Sequence, residues 1–191
     1  MLLVGAPSSG SPFIQQLCAR LVPGSSPIDL AVTPAAGATE ANCFIEVDER
    51  IRNEGGSACL GWAIWETQFV FLEVEAHALW RDASGVLHDI TPKKFGLPRV
   101  LFLPDPNLKY LGRQIQSRFV PLSDNAHVTA MIEAQAALFD LMNRGDRADQ
   151  HGEIVFLDDE AVELRNIQYR LAMATIGAAE FANAERARRA L

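Results

Sequence analysis

Cys43, His77 and Asp89 place a thiol, an imidazole and a carboxyl along the chain in that order. Cysteine chemistry needs a thiolate, a nearby imidazole to take and return a proton, and an acid to hold the imidazole in the useful tautomer. The three residue types therefore define a candidate nucleophile, base and orienting acid. Whether they meet depends on the elements that carry them.

Thr39 to Glu54 reads as a helix, with Phe44, Val47 and Ile51 on one face and Thr39 or Asn42 available as a cap. Gly55-Gly56 supplies a left-handed exit. Cys43 falls in the first turn, where unpaired amides and the helix dipole favour a thiolate. Residues 60 to 66 and 69 to 80 read as strands. In the second, Leu72, Val74, Ala76, Ala78 and Trp80 alternate with Glu73, Glu75, His77 and Leu79. Asp82-Ala-Ser-Gly85 is a hairpin turn and Val86 to Ile90 the return strand. A three-residue loop at 82 to 84 puts His77 opposite Asp89, on one face. A four-residue loop at 82 to 85 turns Asp89 away. The pair requires an even register.

The remaining pattern predicts a helix from Ser11-Pro12 to Leu21 and a loop over 22 to 38 with an extended piece at 28 to 32. Short strands follow at 100 to 103 and 114 to 122. The strands together predict an antiparallel sheet of about four to six strands. From 123 the chain becomes helical, with helices to about Arg144 and from Asp158 to about 189. Between them lie a polar loop at 145 to 153 and a short strand or docked segment at 154 to 157. The expected class is α+β, with residues 1 to 122 a core and 123 to 191 a helical appendage packed on it.

Composition bounds the function. The 191 residues are 49% hydrophobic and 21% charged, enough for a sizeable core without disulfides or metal. A net charge of −7 gives no overall attraction to nucleic acid. Three scattered cysteines form neither a disulfide framework nor a zinc ribbon, and fit a reducing, cytoplasmic compartment. Cys18 and Cys59 read as buried packing residues, and His127 and His151 as surface residues. Met1-Leu-Leu-Val is too short for a signal-peptide core, and no run is long enough for a membrane span. No cofactor is expected.

Cys43 on a helix, Gly55-Gly56, Gly61-Trp62-Ala, His77-Ala-Leu-Trp80 and Asp89-Ile-Thr-Pro92 resemble the core of the transglutaminase-like branch of papain-like cysteine proteins. The resemblance covers residues 40 to 92. It implies an antiparallel sheet packed on the cysteine-bearing helix, with Cys43 as nucleophile, His77 as general base and Asp89 as orienting acid. It also implies hydrolysis or acyl transfer at an amide or related acyl bond of a peptide or amide substrate, although some members are inactive. In this chain the aromatic of His77-Ala-Leu-Trp80 falls one residue late. Asn42, Trp62 and Gln68 are the candidates for a side-chain oxyanion donor or cleft residue, beside the Cys43 amide.

Two rival readings stand beside this one. Glu75, His77, His88, Asp89 and Cys59 offer metal-ligand types, but His88 and Asp89 alternate to opposite faces, so no metal is expected. A non-catalytic binding or assembly module on the same scaffold is the stronger rival. The long apolar helices after 126 could complete a homo-oligomer. Geometry separates the two: Cys43 within reach of His77 in an open cleft favours the enzyme, and a buried Cys43 favours the module.

Overall fold

A computed structural model describes residues 1–149 and 154–190. The part of the expected polar loop that includes His151 lies outside the described residues. Among the described residues, four α-helices and seven strands make an α+β architecture. In chain order they are β1 (Val4–Gly5), α1 (Pro12–Leu21), β2 (Ile28–Ala31), α2 (Cys43–Glu54), β3 (Ser57–Thr67), β4 (Phe71–Arg81), β5 (Leu87–His88), β6 (Arg99–Pro104), β7 (Arg118–Pro121), α3 (Ala126–Met142) and α4 (Asp158–Arg189). The strands form one open antiparallel sheet in the order β2-β6-β3-β4-β5, with β1 on β3 and β7 on β4. The sheet has one strand more than the upper expectation, because two-residue strands such as β1 carry too little pattern to read.

The chain divides into two compact units. One holds residues 5–66 and 73–110, and with them α1, α2, β2, β5 and β6. The other gathers 1–4, 67–72 and 111–191, and with them α3 and α4.

In the first unit, α2 lays Val47 and the first-turn Cys43 against Ala78 and Ile90, flanked by Phe44, Ile51, Leu60 and Trp80. β4 is buried on both sides from Ala76 to Leu79, so the expected alternation between core and solvent stops before His77. Gly61 on β3 pairs with Pro104 of β6. A Cβ at Gly61 would stand 2.2 Å from the Leu103 carbonyl oxygen, so only glycine fits at this backbone approach. Gly56, at φ 86°, leaves a Cβ position 2.2 Å from the Arg81 carbonyl oxygen and needs glycine for both reasons.

In the second unit, Val70, Phe71, Val128, Met131, Ala174, Ala178 and Ala182 form the core. The small residues of α4 let it approach α3 closely, and Gly177 abuts the His127 ring. His127 itself is exposed, as expected. Asn125 caps α3 by accepting from the His127 amide at 2.9 Å.

Several boundaries differ from the sequence expectation. α2 begins at Cys43 rather than Thr39, because Ala41 is left-handed at φ 62° and the Thr39 amide donates to the Glu46 carboxylate at 2.9 Å. Asn42 occupies the N-cap position without a capping hydrogen bond. β7 is shorter than 114 to 122, and residues 154 to 157 form no strand, with Val155 and Leu157 exposed. Cys59 is half-buried rather than buried, and its sulfur accepts from Arg81 Nη2 at 3.6 Å. No helix among the described residues is long and apolar enough to cross a membrane.

Candidate active site

The hairpin decides whether His77 and Asp89 can meet. β4 pairs with β5 through Trp80↔His88 and Arg81↔Leu87. The connection is therefore five residues, Asp82 to Val86, rather than the three or four expected. The Asp82 side chain builds it, accepting from the Ser84 and Val86 amides, each at 2.9 Å. The register is still even, and the ladder ends after two pairs. Asp89 then forms an isolated parallel bridge with Val32, and its carbonyl accepts from the Thr33 amide at 2.9 Å.

From this position Asp89 Oδ2 lies 3.2 Å from His77 Nε2. The imidazole is 4% exposed and the carboxylate 0%. Phe102 covers the ring edge-to-face at 6.3 Å. Asp89 and Lys93 both lie at Nε2, which leaves Nδ1 as the ring nitrogen open to a further partner. The Cys43 side chain acts on the ring through a hydrogen bond and its charge. Burial pulls the His77 imidazolium down. Hydrogen bonds to Asp89 and Cys43, with the Cys43 charge, overcome it and push the imidazolium up to about 9, against the like charge of Lys93. Burial raises the Asp89 carboxyl, but His77 and Lys93 hold it below the ordinary aspartate range.

The sequence reading missed Lys93. Its Nζ lies 2.7 Å from Asp89 Oδ1, 3.0 Å from Thr91 Oγ1 and 3.1 Å from His77 Nε2. Thr91 Oγ1 donates in turn to Asp89 Oδ1 at 3.1 Å. The signal was the spacing Asp89-x-Thr91-x-Lys93, a period of two that carries the strand direction past its last ladder pair.

The other candidate residues are engaged elsewhere. Trp62 Nε1 donates to Asp105 Oδ2 at 2.9 Å, and Asn42 Nδ2 to Thr39 Oγ1 at 2.7 Å. Gln68 belongs to the helical unit, where its side-chain oxygen accepts from Arg186 at 3.1 Å. His88 pairs with Asp82 at 2.9 Å, and Glu75 accepts from Trp65 at 2.9 Å. The structure thus brings Cys43, His77 and Asp89 together and adds Lys93 and Thr91.

No family model matches this chain, and no curated protein or solved structure matches it.

Proposed function

We propose that the chain is a cysteine-dependent hydrolase or acyltransferase acting on an amide or related acyl bond. The observation that carries the proposal is a buried imidazole held at Nε2 by a buried carboxylate and interacting with the side chain of a first-turn cysteine. A protonated His77 beside the sulfur supports a thiolate–imidazolium pair. The Cys43 sulfur attacks the acyl carbon and forms a thioester. The His77 proton passes to the departing nitrogen as the carbon–nitrogen bond breaks. Water or an amine then gives its proton to His77 and displaces the sulfur as thiolate, restoring the thiolate–imidazolium pair. Backbone amides of the first turn of α2, that of Cys43 included, would face the oxyanion.

Intact mass spectrometry after exposure to a short activated acyl ester tests this. The proposal expects an acyl adduct on Cys43 that builds up and decays, and that is lost in His77→Ala. Absence of any adduct on Cys43 would contradict it.

A second reading has its own support. Cys43 is only 7% exposed. A thiol so enclosed also fits a non-catalytic binding or assembly module, with the His77 cluster as a structural core. The same experiment divides the two, because a sealed cysteine takes no acyl group.

A further inference from the structure

Two groups meet at one nitrogen of the site, and they cannot both be satisfied at once. His77 Nε2 faces Asp89 Oδ2 at 3.2 Å and Lys93 Nζ at 3.1 Å. A carboxylate only accepts, so the first contact needs a proton on Nε2. An ammonium only donates, so the second needs a lone pair there. The Lys93 ammonium has three N–H donors and three acceptors in range: Asp89 Oδ1, Thr91 Oγ1 and His77 Nε2. Its side chain is 9% exposed, so water is a poor substitute for any of them. A complete shell for Lys93 therefore places the proton of a neutral His77 on Nδ1, the side of the sulfur. That tautomer can donate to Cys43 but cannot take its proton.

Accordingly, we propose that Lys93 is a positioning residue of the Cys43–His77 pair, selecting the Nδ1–H tautomer of neutral His77 in the resting protein and opposing the imidazolium that Asp89 favours. The assignment rests on the cysteine-enzyme reading for its consequence, though not for its geometry. The charged or titratable groups acting on the imidazole are Cys43 from α2, Asp89 from beyond β5, and Lys93 four residues later. β6 contributes the uncharged Phe102. Among these described residues, Lys93 is the cation. It lowers the alkaline edge of the pH range in which the imidazolium stands beside the sulfur, and it disfavours the base-competent tautomer above that edge.

The test reads the His77 ring nitrogens by nitrogen-15 imidazole spectroscopy across pH, in the full chain and in Lys93→Met and Lys93→Arg. In the native protein the neutral ring should be the Nδ1–H tautomer, and finding Nε2–H would overturn the proposal without any variant. In Lys93→Met the titration midpoint should rise by about one unit, as removal of an adjacent like charge predicts. The neutral ring should switch to Nε2–H, and Lys93→Arg should keep the native behaviour. A midpoint and tautomer unmoved by Lys93→Met would also overturn it. Alkylation of Cys43 with and without His77 keeps the two claims apart. If Lys93 governs the His77 ring but Cys43 is indifferent to His77→Ala, the tautomer assignment stands and the enzyme reading fails. If Cys43 depends on His77 while the ring ignores Lys93, the reverse holds.

Discussion

His77 Nε2 stands 3.2 Å from Asp89 Oδ2 across a hairpin whose ladder has already ended at His88. Asp89 is positioned by its bridge to Val32 and by Thr91 and Lys93, which grip its other oxygen. The carboxylate is thus shared among three donors, His77, Thr91 and Lys93, and its loss should be felt at each. Asp89→Ala leaves Lys93 and His77 buried without their acceptor. It should cost roughly 3–5 kcal/mol in urea unfolding, the usual effect of deleting one partner of a buried pair. A cost below about 1 kcal/mol would mean that the cluster is not buried as described.

The same pair predicts how stability varies with pH. His77 has a raised folded-state value, so its contribution is fully present below the ordinary histidine value of about 6.5. It is lost as pH rises through about 9. Asp89 is depressed, so its contribution is present above the ordinary aspartate value and lost as pH falls through its folded one. Thermal melting should show a falling midpoint between pH 6.5 and 9, and His77→Gln should flatten that limb.

Gly61→Ala tests the close approach of β3 and β6. The new Cβ would meet the Leu103 carbonyl oxygen at 2.2 Å, Phe102 Cζ at 2.7 Å and Pro104 Cα at 2.9 Å. Two of the three are backbone atoms in the centre of the sheet and cannot move aside cheaply. A loss of about 1–3 kcal/mol is expected by denaturant titration, in the range of overpacked cores.

In the helical unit, a Cβ on Gly177 would stand 2.4 Å from the His127 ring. Gly177→Ala should destabilise the α3–α4 packing, and His127→Ala should remove most of that penalty. A double-mutant cycle should give a coupling energy of about 0.5–3 kcal/mol. Simple additivity would show that the two residues are not in contact.

Much of this arrangement was legible because the relevant signals are local. Ser11-Pro12 announces α1, Gly55-Gly56 ends α2, and strict parity on β4 tied the His77–Asp89 contact to an even register. The start of α2 was not legible, because a non-glycine residue in the left-handed region, Ala41, leaves no mark in composition. The five-residue loop was hidden because Asp82 folds the turn through side-chain contacts that Gly85 alone does not reveal. The role of Lys93 was not legible, since burial of a charge depends on partners brought by tertiary structure. The make-up of the helical unit was equally out of reach. Residues 1–4 and 67–72 join it from the strand-rich part of the sequence.

The central claim is that His77 activates Cys43, and the rate of Cys43 alkylation against pH tests it most directly. Peptide-resolved mass spectrometry makes Cys18 and Cys59 internal controls in the same sample. Alkylation of Cys43 at neutral pH should be fast and should fall by roughly 100-fold in His77→Ala, in the range expected for loss of an acid–base partner. Slow alkylation of Cys43, indifferent to His77, would contradict the account and leave the buried cluster as the core of a binding module.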